Sequence, residues 1–142
     1  MTCLPCDLED ATEGVVHRDD LWACEVAEGY DVPGWFVLRT RRHAEGWGAL
    51  TPDEAASLGP VAQRVSTAIQ EATGAVNTYL LSFGENYPHL HFLLIARPPD
   101  LPADLKGAAI LSRRLEDRDR EAALAVAADV RAALAAPALV HD

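Results

Sequence analysis

Pro88-His-Leu-His-Phe-Leu-Leu-Ile-Ala-Arg97 constrains the fold more than any other stretch of the chain. Its apolar run, bounded by Pro88 and Pro98, predicts one buried strand. Side chains alternate between the two faces of a strand. His89, His91, Leu93 and Ile95 therefore share one face, and Leu90, Phe92 and Leu94 share the other. The second set is plain core. The first sets two imidazoles side by side on a rigid element, where both can meet one ligand or metal. A lone core histidine bonded to backbone is commonplace. Two at strand spacing inside an apolar run each need a partner when buried.

The segments before this strand supply its neighbours. Val15-Val16-His17 and Leu21 to Val26 read as a hairpin turned by Arg18-Asp19-Asp20. Cys24 in its second arm reads as a small core residue, and His17 beside the turn as solvated. Asp31-Val-Pro-Gly34 is turn chemistry and leads into a strand over Trp35 to Arg39. The basic cluster Arg39, Arg41 and Arg42 reads as a solvated strand end. Thr51-Pro-Asp-Glu54 is a helix start, with Thr51 as cap, Pro52 in the first turn and Glu54 closing a capping box. Leu58, Val61, Ala62, Val65, Ala68, Ile69 and Ala72 form one apolar stripe, Gly59-Pro60 marks a possible kink, and Gly74 ends the helix. Val76 to Phe83 predicts another strand and Gly84 to Tyr87 a turn. A proline-rich loop covers Pro98 to Leu105. A final helix is expected from about Asp117 to Ala135, with Leu124, Ala127 and Leu134 on its apolar face. It stops before Pro137, and the last few residues are expected to be mobile.

This order, with short connections between adjacent strands, predicts an α+β domain: an antiparallel sheet of about five strands, one long helix packed on it and a C-terminal helix. The 142 residues suggest a single domain spanning 1–142. A formal net charge of -10 argues against a general nucleic-acid or anionic-membrane binder, but not against a small phosphate-bearing ligand. No apolar run is long enough to cross a membrane, and the N-terminal residues do not form a secretory signal, which predicts a cytoplasmic address.

Three cysteines in such a chain favour metal or redox use over a disulfide framework. Cys3-Leu-Pro-Cys6 has chelate spacing, although two reduced surface thiols would look the same. His43 and His89 are two further borderline ligands. If the strand of Trp35 pairs near the central strand, the four converge on a Cys₂His₂ site. Such a site has no open position for water, so zinc there would be structural.

The arrangement resembles the histidine-triad family of nucleotide hydrolases and transferases, with its relative galactose-1-phosphate uridylyltransferase. Val32-Pro-Gly-Trp-Phe-Val-Leu-Arg-Thr-Arg-Arg-His43, Leu50-Thr-Pro-Asp-Glu54 and Gly84-Glu-Asn-Tyr-Pro-His-Leu-His-Phe92 resemble its turn and strand, its helix entry and its histidine motif. Cys3, Cys6, His43 and His89 match its zinc-binding branch. The resemblance implies that His91 attacks the α-phosphorus of a nucleotide or other phosphate ester, forming a covalent nucleotidyl-histidine. It implies that the other ring nitrogen of His91 donates to a backbone carbonyl, and that Glu85, Asn86 and Leu93 contact the ligand. It also implies a homodimer with a sheet running across the interface. Three positions depart from the family pattern. Leu93 stands at the third motif position, usually histidine. Glu85 stands where many members have glutamine, and Ala27 where an acid or amide holds the ribose. Two readings remain: a slow or divergent phosphoester hydrolase or transferase, and a zinc-stabilised binding protein of the same fold without turnover. Catalysis on a non-nucleotide substrate is a third.

Overall fold

The computed structural model describes residues 3–136, so the segment after Pro137 expected to be mobile lies outside the described residues. The sheet is antiparallel and five-stranded. Its strands are β1 (Val15–Arg18), β2 (Trp22–Glu25), β3 (Trp35–Thr40), β4 (Asn77–Leu81) and β5 (His91–Arg97), in the spatial order β1-β2-β3-β5-β4. The fold class therefore matches the sequence expectation. The central strand starts three residues later than Pro88. His89 lies outside it, in an isolated bridge with Glu45.

Local chemistry explains the elements. Asp19 turns the first hairpin by accepting from the Leu21 and Trp22 N–H groups at 2.8 and 2.7 Å. Gly34 (φ 88°) allows the entry to β3: a Cβ there would meet the Ala96 Cβ at 3.0 Å, while the Gly34 carbonyl accepts from Ala96. The short helix α1 (Leu4–Asp7) is followed by the long helix α2 (Pro52–Thr73). The expected capping box of α2 is present in both directions: Thr51 Oγ1 accepts from Glu54 N–H, and Glu54 accepts from Thr51 N–H. The helix continues through Pro60 and ends on left-handed Gly74. The last helix, α3 (Arg120–Ala135), starts three residues later than predicted, where Asp119 caps it. Its fully buried residues are Ala123, Ala127 and Val130, so the apolar face is turned from the expected Leu124 line, with Leu134 only partly buried.

The alternation in β5 divides the core in two. Phe92, Leu94 and Ala96 join Trp22, Cys24, Phe36 and Leu38 against α2 and α3, where Val61, Val65, Ile69, Ala127 and Val130 close the layer. The opposite face carries His91, Leu93 and Ile95. It is covered by the N-terminal segment and by a stretch of 3₁₀-helix over Gly107–Leu115, which the sequence did not announce. No helix among the described residues is long and apolar enough to cross a membrane.

The basic cluster is not a solvated strand end. Arg39 is fully buried, with its Nε and Nη2 donating to Glu25 at 3.0 and 2.8 Å and Nη2 donating to Glu9 at 3.0 Å. Arg41 donates to Glu9 and Arg42 to Glu54. His17 is also less solvated than expected, because Nε2 lies 2.7 Å from Asp19 Oδ2. Burial pushes the Glu25 carboxyl up, against the pull of Arg39. This pair takes the space beneath the N-terminal segment and ties that segment down through Glu9. Removing Glu25 leaves the buried Arg39 guanidinium with only its partly exposed partner Glu9. Glu25→Ala should therefore lower stability by about 3–5 kcal/mol, measured as a shift in urea midpoint at constant slope. A loss under 1 kcal/mol would mean that water reaches Arg39.

Candidate functional site

Two sites lie on neighbouring ends of β3 and β5. At the first, Cys3 and Cys6 from either end of the first turn meet His43, beyond β3, and His89, before β5. One donor atom from each lies within 4.8 Å of all the others. Cys3 Sγ is 3.5 Å from both His43 Nδ1 and His89 Nδ1, and Cys6 Sγ is 3.1 and 3.3 Å from the same atoms. A tetrahedral ion with Zn–S near 2.3 Å and Zn–N near 2.0 Å needs sulfur and nitrogen about 3.5 Å apart. The cluster has that spacing, slightly contracted on the Cys6 side. The next shell also fits. His89 Nε2–H donates to the Thr40 carbonyl at 2.6 Å, and His43 Nε2 lies 3.1 Å from Glu45 Oε1. A carbonyl can only accept, so His89 keeps Nδ1 free for a metal. Burial, helped by the nearby Arg39 charge, lowers the pKa of His89 against the opposing pull of the Thr40 carbonyl. Burial and the neighbouring Cys3 raise the Cys6 thiol to about 11, a cost that a divalent cation reverses. With four protein donors and no open position, these residues make a structural zinc site.

The second site is a pocket of about 260 Å³ on the face carrying His91. The two imidazoles singled out in the sequence thus serve different sites: His89 turns to the thiols, and His91 lines the pocket. They are linked through the backbone, because His91 Nδ1 lies 2.6 Å from the His89 carbonyl oxygen. A carbonyl can only accept, so Nδ1 carries a proton, and in the neutral ring the lone pair lies on Nε2. The pocket floor is apolar. Leu93 pairs with Val37 across β3 and with Leu81 across β4, and all three line the cavity. Glu85 and Asn86 line it from the turn before β5. Ala27 is buried in an apolar cluster with Val37 and Leu8 and offers no polar group. The sequence did not single out Tyr30, Phe83, Tyr87 or Arg114, which also line the pocket. The aromatic residues carried a weak signal, since each sits in a loop or strand end beside a motif. Arg114 carried none.

No protein-family model matches the sequence, and no curated protein sequence matches it. Solved structures do match. A hypothetical histidine triad nucleotide-binding protein from Sulfolobus tokodaii aligns with a TM-score of 0.73 at 21% identity, over 93% of this chain and 91% of that one. A zinc-bound histidine triad family protein from Mycobacterium smegmatis aligns with a TM-score of 0.71 at 19% identity, over 95% and 94%. A uridylyltransferase structure aligns with a TM-score of 0.69 at 24% identity, over 94% of this chain but 45% of that one. At these identities the likeness establishes the fold: the chain has the histidine-triad fold.

Proposed function

We propose that the chain is a member of the histidine-triad family, in its zinc-binding branch, and acts as a phosphoester hydrolase or transferase through His91. The observation that carries this reading is the bond from His91 Nδ1–H to the His89 carbonyl, in a side chain that lines the pocket. It leaves Nε2 as a neutral nucleophile of fixed orientation. In the first step the Nε2 lone pair forms a bond to the α-phosphorus of a nucleotide or other phosphate ester, and the leaving group departs with its electron pair. In the second, water or another acceptor attacks the phosphorus and gives up a proton. The P–N bond breaks and its electrons return to Nε2. Zinc supplies a cross-link here and no chemistry. The zinc-bound relative from Mycobacterium smegmatis supports zinc as the metal. The direct test is a covalent nucleotide adduct on His91.

A second reading is a zinc-stabilised binding protein without turnover. Leu93 favours it, because a leucine cannot donate to a phosphate or leaving-group oxygen. Glu85 favours it as well, because a carboxylate in the lining opposes a phosphate.

The proposal includes a homodimer joined along the edge of the sheet. β4 is an edge strand, and Leu80 on it is 47% exposed, with Val76 and Phe83 exposed on either side. An unpaired apolar edge is a template for pairing. Sedimentation should give a dimer for the native chain and a monomer for Leu80→Asp. A native monomer at micromolar concentration would rule the dimer out.

A further inference from the structure

Among the described residues, Arg114 is the one guanidinium in the pocket lining, and its setting is specific. It comes from the 3₁₀ stretch Gly107–Leu115, and its Nε donates to the Gly29 carbonyl at 2.7 Å. Its guanidinium carbon lies 4.0 Å from the centre of the Tyr30 ring. The carbonyl and the ring fix the head group from two sides. Among the described residues, Arg114 makes no other hydrogen bond and no ion pair, so both terminal nitrogens remain available. The neighbouring acid Asp117 is taken by Arg113 at 2.7 Å. A guanidinium held over a ring, with its fork open, suits bidentate binding of a carboxylate or phosphate.

The remaining lining polarises the cavity. The one carboxylate among the described lining residues, Glu85, lies on the turn before β5, on a different element from Arg114. The surface between them is apolar and aromatic: Leu81, Phe83, Leu93 and Leu111, with Tyr30 and Tyr87. The volume of about 260 Å³ falls just below the range of about 300–1,000 Å³ usual for ligand pockets, which favours a small body over a dinucleotide.

We infer that this pocket selects a small substrate with two anionic groups on an apolar or aromatic body. One is the phosphoryl group presented to His91, and the other is a carboxylate or second phosphate clasped by Arg114 over Tyr30. This rests on the reading of His91 given above and specifies its substrate class.

The test is isothermal titration of the full zinc-loaded chain with three probes: phenyl phosphate, 4-carboxyphenyl phosphate and 1,4-phenylene bisphosphate. Charge-assisted hydrogen bonds of this kind correspond to about 10- to 100-fold in affinity. The two probes with a second anion should bind more tightly than phenyl phosphate by that factor, and the tighter of the two identifies the anion. Arg114→Gln should weaken the two doubly anionic probes far more than phenyl phosphate, and so erase the difference. Tyr30→Leu, which keeps the charge but removes the ring, should reduce it part of the way. Equal affinity of wild type for all three probes would overturn the inference without recourse to any variant. An equal loss for all three in Arg114→Gln would also overturn it, because Arg114 would then hold the reacting phosphate. Adduct formation on His91 is read separately by intact mass. Selectivity without an adduct would sink the catalytic reading and leave this one standing, and an adduct without selectivity would do the reverse.

Discussion

Stripping zinc from the native chain with a chelator should lower its thermal midpoint by about 10–15 °C, and Cys6→Ser should do the same without chelator. The cross-link joins Cys3 and Cys6 to His43 and His89, some 40 and 86 residues away. A ligand bound only by the folded state at a thousandfold excess over its dissociation constant stabilises by about 4 kcal/mol. In a chain of this size that corresponds to roughly the shift stated. Part of the effect should be local. The N-terminal segment is also held by Glu9 on Arg39 and Arg41 and by the Leu8 carbonyl, which accepts from Arg18. Cys6→Ser should therefore loosen residues 3–7 before the sheet. Leu4 and Pro5 line the pocket, so the same variant should weaken ligand binding. Metal analysis gives the stoichiometry: one zinc per chain is expected. A clearly substoichiometric value in protein purified without chelator, or a Cys3–Cys6 disulfide, would rule out the structural role.

Leu93→His should raise turnover of an activated nucleotide by about 10²–10³-fold. Negative charge grows on phosphoryl and leaving-group oxygens in both steps, and one preorganised donor beside such oxygens contributes about 3–4 kcal/mol. Leu93 lies two residues from His91 on the same face of β5, flanked by Val37 and Leu81, and provides none. The native chain should accordingly be slow, and slowest with poor leaving groups. An imidazole in that apolar setting should cost about 1–3 kcal/mol of stability, because one ring nitrogen lacks a partner. Leu93→Ala should enlarge the pocket without the gain in rate. Turnover numbers for the three proteins on one substrate decide the point. A fast native enzyme would show that Leu93 is no handicap, and a gain in Leu93→Ala equal to that in Leu93→His would assign the effect to space.

The parts of this account that could be read from sequence are those set by neighbours along the chain. Alternation in the central run placed Phe92 and Leu94 in one layer and His91 and Leu93 on the other, as observed. Thr51 and Glu54 announced the helix because a capping box is complete within four residues. Cys3-Leu-Pro-Cys6 was visible as a chelate pair, but its partners depended on strand pairing and on the family resemblance. What depended on distant pairing was lost. Arg39 looked like a surface cation because its partners lie 14 and 30 residues away, and charge alone does not reveal a buried pair. Arg114 gave no signal because its carbonyl partner is 85 residues distant.

The central claim is that His91 is a nucleophile, and intact-protein mass measured over time tests it most directly. Native chain, His91→Ala and Leu93→His are incubated with an activated nucleotide carrying a good leaving group. A single nucleotidyl adduct is expected on the native chain, none on His91→Ala, and an adduct on Leu93→His that forms and clears faster. Absence of any adduct on both the native chain and Leu93→His would contradict the claim and leave the binding-protein reading in its place.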